Sequence, residues 1–152
     1  MPGTTGDSPH AITIRSGDDG TSGAEIEARL SEDIAARFGP ADAQRVVITA
    51  HRGQTLAGGL TGIVHWKWLY IRQLWVDAPE RGRGTGRGLV ERGIAEARQR
   101  SCAGVYVDTF DPHTADFYAR SGFRTVGRID GFPPGHQRIF LALHLGEGHT
   151  IP

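Results

Sequence analysis

One stretch limits the fold more than any other: the glycine-rich, basic segment PERGRGTGRG, residues 79–88, lies between a strand-like and a helix-like segment. LYIRQLWV, which precedes it, has the composition of a β-strand, and the following residues, 89–99, carry apolar side chains at helical spacing. The nearly continuous apolar run AGVYVDTF comes next and is typical of a strand covered on both faces. A strand, a crossover helix and a strand form a βαβ unit, so we predict two parallel neighbouring strands.

The remaining segments predict a mixed sheet. AITIR, residues 11–15, alternates as a first strand would, and residues 24–38 place apolar side chains four apart, as in an amphipathic helix. RVVITAHRG and QTLAGGLTGIVHWKW predict a hairpin that turns near Gly53. HTADFYARSGF predicts a second helix, and RTVGRID and QRIFLALHL predict closing strands joined by GFPPGH. Strict alternation along LYIRQLWV would put Tyr70, Arg72, Leu74 and Val76 on one face and Ile71, Gln73 and Trp75 on the other.

Length and charge exclude several classes of function. A chain of 152 residues fits one domain, which we expect over residues 10–152, after a disordered tail at residues 1–9. Lys plus Arg equals Asp plus Glu at 17 each, so no overall positive charge attracts nucleic acid or a membrane surface. A single cysteine, the absence of zinc-ligand spacing and the absence of a long apolar run predict a soluble cytoplasmic protein with no metal site and no membrane partner.

The chemistry of the glycine-rich turn favours an anion site. A loop that leads from a strand into a helix N-terminus presents unpaired backbone N–H groups, to which the helix dipole adds partial positive charge. Gly82, Gly84 and Gly86 allow the backbone to approach a ligand closely, and this combination binds phosphate. A flexible linker would not lie inside a βαβ unit, and a nucleic-acid site needs a broader basic surface. The glycine spacing also fits neither a P-loop nor a Rossmann turn.

Two motifs resemble a known family. VDAPERGRGTGRGL, residues 76–89, resembles motif A of the GNAT N-acetyltransferase superfamily, whose Arg, Gly and Gly positions are filled here by Arg81, Gly84 and Gly86. DPHTADFYARSGF, residues 111–123, is similar to the family's next element, a helix that carries Phe-Tyr and ends in Gly-Phe. The resemblance implies an α+β fold, in which a mixed central sheet contains a splayed parallel strand pair and has helices on both faces.

The same resemblance implies that acetyl-CoA is the cosubstrate. Its pyrophosphate would accept hydrogen bonds from the glycine-rich turn, and its pantetheine arm would pair with the strand before that turn. Asp111 stands where the family often has an Asn that contacts the cofactor. The residues thereby assigned to cofactor binding are Leu74, Trp75, Val76, Arg81, Gly82, Arg83, Gly84, Thr85, Gly86, Arg87 and Asp111.

Catalysis in the family implies an acid and a base. Tyr118 matches the Tyr that commonly protonates the leaving thiolate, although it could instead anchor its helix on the sheet. Many members use a Glu on the motif A strand or its parallel neighbour as the general base, whereas this motif A strand has Arg72 and Gln73. Asp108, on the neighbouring strand, is therefore the candidate base; alternatively, it hydrogen-bonds backbone or pairs with an arginine. Three histidines are rivals because of their near-neutral pKa, namely His65, His113 and His136.

The acceptor site is less well defined by the sequence. We assign Trp66, Gln73 and His136 to it, and the acidic helix at residues 24–38 would suit a cationic amine. The predicted function is transfer of an acetyl group to the primary amine of a small molecule or amino-acid-like metabolite. The alternatives are a protein or peptide N-acetyltransferase and a non-catalytic acyl-CoA-binding module. Because family members are often dimers, the resemblance also implies a homodimer.

Overall fold

The computed structural model describes residues 11–146, so the predicted tail at residues 1–9 lies outside the described part. The chain divides into two compact units, with the boundary between Pro40 and Ala41. The first unit contains one helix, α1 (Ser22–Phe38). At the start of α1, the Asp19 carboxylate accepts hydrogen bonds from the backbone N–H groups of Thr21 and Ser22. The helix ends at Gly39, which has φ of 81°. The predicted helix is confirmed.

The strand predicted at residues 11–15 is wrong. Residues 11–16 have no regular structure, and Ile12 and Ile14 are exposed. An alternating pattern gives a strand only where another strand supplies hydrogen bonds, and within residues 11–146 no strand pairs with this segment.

The second unit is a six-stranded mixed sheet with two helices. In spatial order the strands are β1-β2-β3-β4-β6-β5, with only β3 and β4 parallel among the described neighbours. The elements are β1 (Gln44–Arg52), β2 (Thr55–His65), β3 (Trp68–Val76), α2 (Thr85–Gln99), β4 (Gly104–Thr109), α3 (Pro112–Arg120), β5 (Arg124–Asp130) and β6 (Gln137–His144). The predicted hairpin, βαβ unit and closing strands are confirmed. Within residues 11–146, no helix has both the length and the apolar character needed to span a membrane.

Both helices of this unit pack on one face of the sheet. Leu69 and Ile71 of β3 pair with Val105 and Val107 of β4 and turn the same way, into a single apolar core. Val90 of α2 belongs to that core, as does the aromatic ring of the α3 tyrosine. We call the other side of the sheet the polar face, because many polar side chains project from it. Because the apolar core lies on one side of the sheet, the polar face is available for a binding site.

A β-bulge changes the face assignment along β3. Thr61 of β2 pairs with Gln73, but the next β2 residue, Gly62, pairs with Ile71, so Arg72 is the extra residue. Ile71 and Leu74 therefore both face the core, while Gln73 joins Arg72 on the polar side. The strict alternation predicted from LYIRQLWV is wrong from Gln73 onward, because it could not include the extra residue.

The parallel strands separate near the bulge. Pairing between β3 and β4 ends at Ile71 and Val107, although β3 continues to Val76 and β4 to Thr109. The carboxyl ends of the two strands thus splay apart, and beyond Ile71 and Val107 they form no backbone hydrogen bonds with each other across the cleft. This splayed pair, together with the mixed α+β sheet, confirms the predicted fold class. The helices predicted on both faces are not found in this unit, where α2 and α3 pack on the same face of the sheet.

Candidate active site

The glycine-rich turn is shaped by glycines with positive φ. Gly82 (φ 75°) and Gly84 (φ 84°) adopt the left-handed conformation, and α2 begins at Thr85. Among residues 11–146 no acceptor takes the backbone N–H of Gly82, Arg83 or Gly84. The first N–H groups of α2 also lack partners within the helix, as at any helix start. The turn therefore collects several donors at the positive end of a helix dipole.

A buried carboxylate anchors the turn. Glu80 is 8% exposed and accepts two hydrogen bonds from the Arg52 guanidinium, at 2.5 and 2.7 Å. The hydrogen bond from Arg52 holds the pKa of this carboxyl below its ordinary value. Arg81 donates from Nε to the carbonyl of Val76 at 3.0 Å, which ties the turn to the end of β3. Sequence reasoning missed Arg52 and Glu80 because they are separated by 28 positions and match no motif.

A cavity of about 520 Å³ adjoins the turn. Its lining combines the end of β3, the turn, the first residues of α2 and the last turn of α3. Arg120 contributes a further cation that the sequence motifs did not identify. Seven of the predicted cofactor residues line it, namely Val76, Arg81, Gly82, Gly84, Thr85, Gly86 and Arg87. Arg83 lies on the turn but not in the lining.

A second cavity, of about 400 Å³, fills the cleft between the splayed strands. Leu74 and Trp75 line its β3 side, Asp108 lines its β4 side, and Tyr118 reaches it from α3. Gln73 lines it as well. The structure therefore brings together predicted residues that are up to 45 positions apart in the sequence.

Tyr118 combines burial with access to the cleft. The residue is 2% exposed, and its ring packs between Phe117 and Phe123, with centroids 5.2 and 5.4 Å away. Burial, with a smaller contribution from the charge of Asp108, raises the pKa of Tyr118 to about 12. At neutral pH the hydroxyl therefore keeps its proton. Both roles considered for Tyr118, packing and proton donation, are compatible with this position.

Asp108 lies at the centre of a hydrogen-bonded network on the polar face. Its carboxylate accepts a hydrogen bond from the Tyr70 hydroxyl at 2.5 Å and one from Arg138 Nη1 at 2.8 Å. The bond to Asp108 is the main reason that the pKa of Tyr70 rises to about 12. Tyr70 also stacks on Tyr106, with ring centroids 4.7 Å apart. Asp108 thus has the arginine partner that its alternative role anticipated, and its role as a base stays a prediction.

Two aromatic rings lie against the guanidinium of Arg138, a residue that the sequence analysis did not assign to the site. It lies 4.3 Å from the centroid of Phe132 and 5.5 Å from that of Phe110. Phe132 belongs to the loop between β5 and β6, so this contact holds that loop beside the cleft. His136, predicted to bind the acceptor, is on the same loop but exposed and outside the cleft lining.

Other predicted residues occupy different surroundings. Asp111 caps α3, accepting hydrogen bonds from the Thr114 hydroxyl and the His113 N–H, and the Thr114 bond is the main reason its pKa is lowered. Trp66 lies in the β2–β3 turn, at the opposite end of β3 from the cleft. His65 is hydrogen-bonded to the Tyr106 hydroxyl at 2.8 Å. Of the three residues predicted to bind the acceptor, only Gln73 therefore lines the cleft, and Trp66 and His136 do not.

Comparison with known proteins identifies the class that this fold and site define. The model of the acetyltransferase (GNAT) family matches residues 17–123. Blasticidin-S acetyltransferase of Streptomyces morookaense is 42% identical over 97 residues, which cover 63% of this chain and 71% of that protein. An acetyltransferase of Agrobacterium fabrum is 32% identical over 123 residues, covering 78% and 90% of the two chains. A solved acetyltransferase from Bacillus cereus has the same fold, with a TM-score of 0.82, 24% identity and coverage of 88% and 98%.

The chain belongs to the GNAT family and is an N-acetyltransferase.

Proposed function

We propose that this enzyme transfers an acetyl group from acetyl-CoA directly to the primary amine of a small molecule. The observation that carries the proposal is the cleft between β3 and β4, because one cavity there combines free strand backbone, a buried tyrosine hydroxyl and polar side chains. The blasticidin-S relative, whose name gives a small-molecule acceptor, supports the same class of substrate.

The glycine-rich turn supports acetyl-CoA as the donor. The unpaired N–H groups of residues 82–84 and of the α2 start suit the pyrophosphate, and Arg81, Arg87 and Arg120 line the same cavity. The β3 backbone beyond Ile71, which has no partner on the β4 side, suits the amides of the pantetheine arm. Acetyl-CoA would then run from the turn into the cleft, with its thioester near Tyr118.

The transfer step requires two proton movements. The neutral amine nitrogen attacks the thioester carbonyl, a C–N bond forms, and the C–S bond breaks. The departing sulfur takes a proton from the Tyr118 hydroxyl, whose raised pKa keeps that proton in place until sulfur acquires negative charge. The amine gives up a proton to Asp108, directly or through water. Proton exchange with solvent then restores both residues.

The proposed role of Asp108 as the general base depends on the hydrogen bonds that hold its carboxylate in place. Arg138 and Tyr70 fix the carboxylate at the edge of the cleft, so its oxygens face a defined position rather than bulk solvent. We expect Asp108→Asn to change the pH profile of kcat/KM. An unaltered profile would exclude Asp108 as the base.

The experiment that tests the function measures thiol release from acetyl-CoA with a panel of amines, antibiotics among them, and identifies each N-acetyl product by mass spectrometry. Acetylation of one or more small amines at enzymatic rates is the expected result. Tight acetyl-CoA binding without transfer to any amine would favour a non-catalytic binding module. Transfer to peptides alone would favour a protein N-acetyltransferase.

A further inference from the structure

A third cavity adjoins the cleft on the polar face of the sheet. Its volume is about 250 Å³, and its lining spans three strands: Arg45 of β1, Thr61, Gly62 and Ile63 of β2, and Arg72 and Gln73 of β3. Arg72 and Gln73 line both this cavity and the cleft. A molecule whose amine lies in the cleft therefore has direct access to the third cavity.

No carboxylate among the described residues pairs with the two arginines of this cavity. Neither the Arg45 nor the Arg72 guanidinium makes an ion pair or hydrogen bond with another residue in the described 11–146. Arg72 nevertheless lies close enough to Tyr70 and Tyr106 to lower their pKa, although other effects leave both pKa values raised. The Thr61 hydroxyl is occupied by a hydrogen bond to Gln73 Oε1, which leaves the Gln73 amide N–H groups directed elsewhere.

Charge around the two joined cavities is therefore positive. Their lining contains three cations, Arg45, Arg72 and Arg138, and one carboxylate, Asp108. Asp108 is already paired with Arg138 at 2.8 Å. The guanidinium groups of Arg45 and Arg72 remain without a partner among residues 11–146. Guanidinium groups bind a carboxylate or a phosphate and repel a cationic ligand.

We infer that the acceptor carries an anionic group, a carboxylate or a phosphate, in addition to its amine, and that Arg72 and Arg45 bind this group. The inference rests on the proposed function and narrows its substrate class. It also differs from the expectation, drawn from the acidic helix at residues 24–38, of an acceptor whose only charge is its cationic amine. The β3 bulge is essential, because it turns Arg72 and Gln73 to the same side.

The register of the sheet gives the acceptor a length. Arg45 pairs with Ile63, which pairs with Tyr70, so Arg45 lies two strands from β3, about 10 Å at the usual strand spacing. Arg72 is on β3 itself, beside the cleft. A short acceptor reaches Arg72, whereas only a longer one places its anion between Arg72 and Arg45.

The test uses linear ω-amino acids of increasing chain length, their amides and the matching aminoalkyl phosphonates, with kcat/KM measured by thiol release. For the wild-type enzyme we expect the anionic acceptors to exceed the amides by about 10- to 100-fold. Comparison of carboxylates with phosphonates then identifies which anion the cavity prefers. Equal kcat/KM for anionic and amide acceptors would overturn the inference.

Substitutions at Arg72 and Arg45 test which residue binds the anionic group. Arg72→Gln should lower kcat/KM for the anionic acceptors by about tenfold more than for the amides, and Arg72→Lys should restore part of the loss. Arg45→Gln should affect only the longer acceptors. The matched control is Arg98→Gln on the exposed side of α2, which removes the same charge far from the cavity and should change neither series. A uniform loss across anionic and amide acceptors in Arg72→Gln would indicate a structural role and contradict anion binding.

Separate readouts distinguish this inference from the proposed function. Acetyl-CoA binding is measured by calorimetry for every variant. Efficient transfer to neutral amines alone would contradict the anion subsite while the proposed function stands. Failure to bind acetyl-CoA would contradict both.

Discussion

The two ends of the proposed site are built differently. The donor end consists of backbone N–H groups from one continuous segment, residues 82–87, at the start of α2. The acceptor side consists of side chains from β1, β2, β3, β4 and β6, which the sheet register brings side by side. A turn that binds through its backbone tolerates little change in glycine positions, whereas a strand surface can exchange side chains freely. Donor chemistry is therefore set locally, and acceptor specificity by the assembled sheet.

Tyr118→Phe probes the junction of the two ends and should have the largest effect. The ring keeps its packing against Phe117 and Phe123, so stability and acetyl-CoA affinity should hold, while kcat falls by about 10²- to 10³-fold. Steady-state kinetics and thermal denaturation measure the two quantities. Tyr106→Phe, on the opposite face, is the control. Full turnover by Tyr118→Phe would exclude the acid role.

Gly84→Glu tests the donor end alone. It puts a carboxylate at the proposed pyrophosphate position and a side chain at φ of 84°, so CoA affinity should fall by about 100-fold. Gly88→Glu adds the same charge within α2, outside the cavity lining and with open space around it, and should bind CoA nearly as wild type does. Calorimetry with CoA gives both values. Equal affinities would show that the turn does not hold the pyrophosphate.

Gly62→Ala tests the dependence of the acceptor side on the bulge. A Cβ at Gly62 would lie 2.5 Å from the carbonyl oxygen of Tyr70, so the bulged backbone must move, at a cost of about 1–3 kcal/mol. Acetyl transfer should fall more than CoA affinity does. Gly127→Ala in β5 meets no atom within 4 Å and serves as the control in thermal denaturation and kinetics. Matching behaviour of the two variants would mean that the bulge geometry is not required.

The smallest expected effect concerns the three tyrosines. The pKa of Tyr70 and that of Tyr118 rise to about 12, and burial raises that of Tyr106. In the unfolded chain these hydroxyls ionise near the ordinary value of about 10. The unfolded state therefore releases protons first, and the contribution of these tyrosines to stability should fall as pH rises from about 10 to 12, having been constant below.

Ultraviolet titration of phenolate measures this ionisation directly. Asp108→Asn removes the hydrogen-bonded carboxylate that is the main cause of the raised Tyr70 pKa, so the Tyr70 midpoint should fall most, with smaller decreases for Tyr106 and Tyr118, whose pKa values the Asp108 charge also raises. Tyrosine ionisation with a single ordinary midpoint in the folded wild-type protein would contradict the half-buried network of Tyr70, Asp108 and Arg138 on the polar face.

Much of the donor end could be predicted from the sequence. The glycine pattern predicted a turn at a helix start, and seven predicted residues line its cavity. The Arg52–Glu80 pair that anchors this turn could not be predicted, since its members lie on different elements. On the acceptor side only Gln73, Asp108 and Tyr118 were anticipated, whereas Arg45, Tyr70 and Arg138 were missed. Trp66 was assigned to the site from its residue type but lies at the far end of β3.

The sequence by itself determined the class of fold, the βαβ unit and the glycine-rich turn at a helix start, because periodicity, glycine placement and helix starts are properties of neighbouring residues. Only the tertiary structure decided where the parallel strands separate, which face Gln73 occupies, and which arginine holds Asp108. A one-residue bulge reverses every side chain beyond it, and its position depends on contacts with another strand, which no local pattern contains.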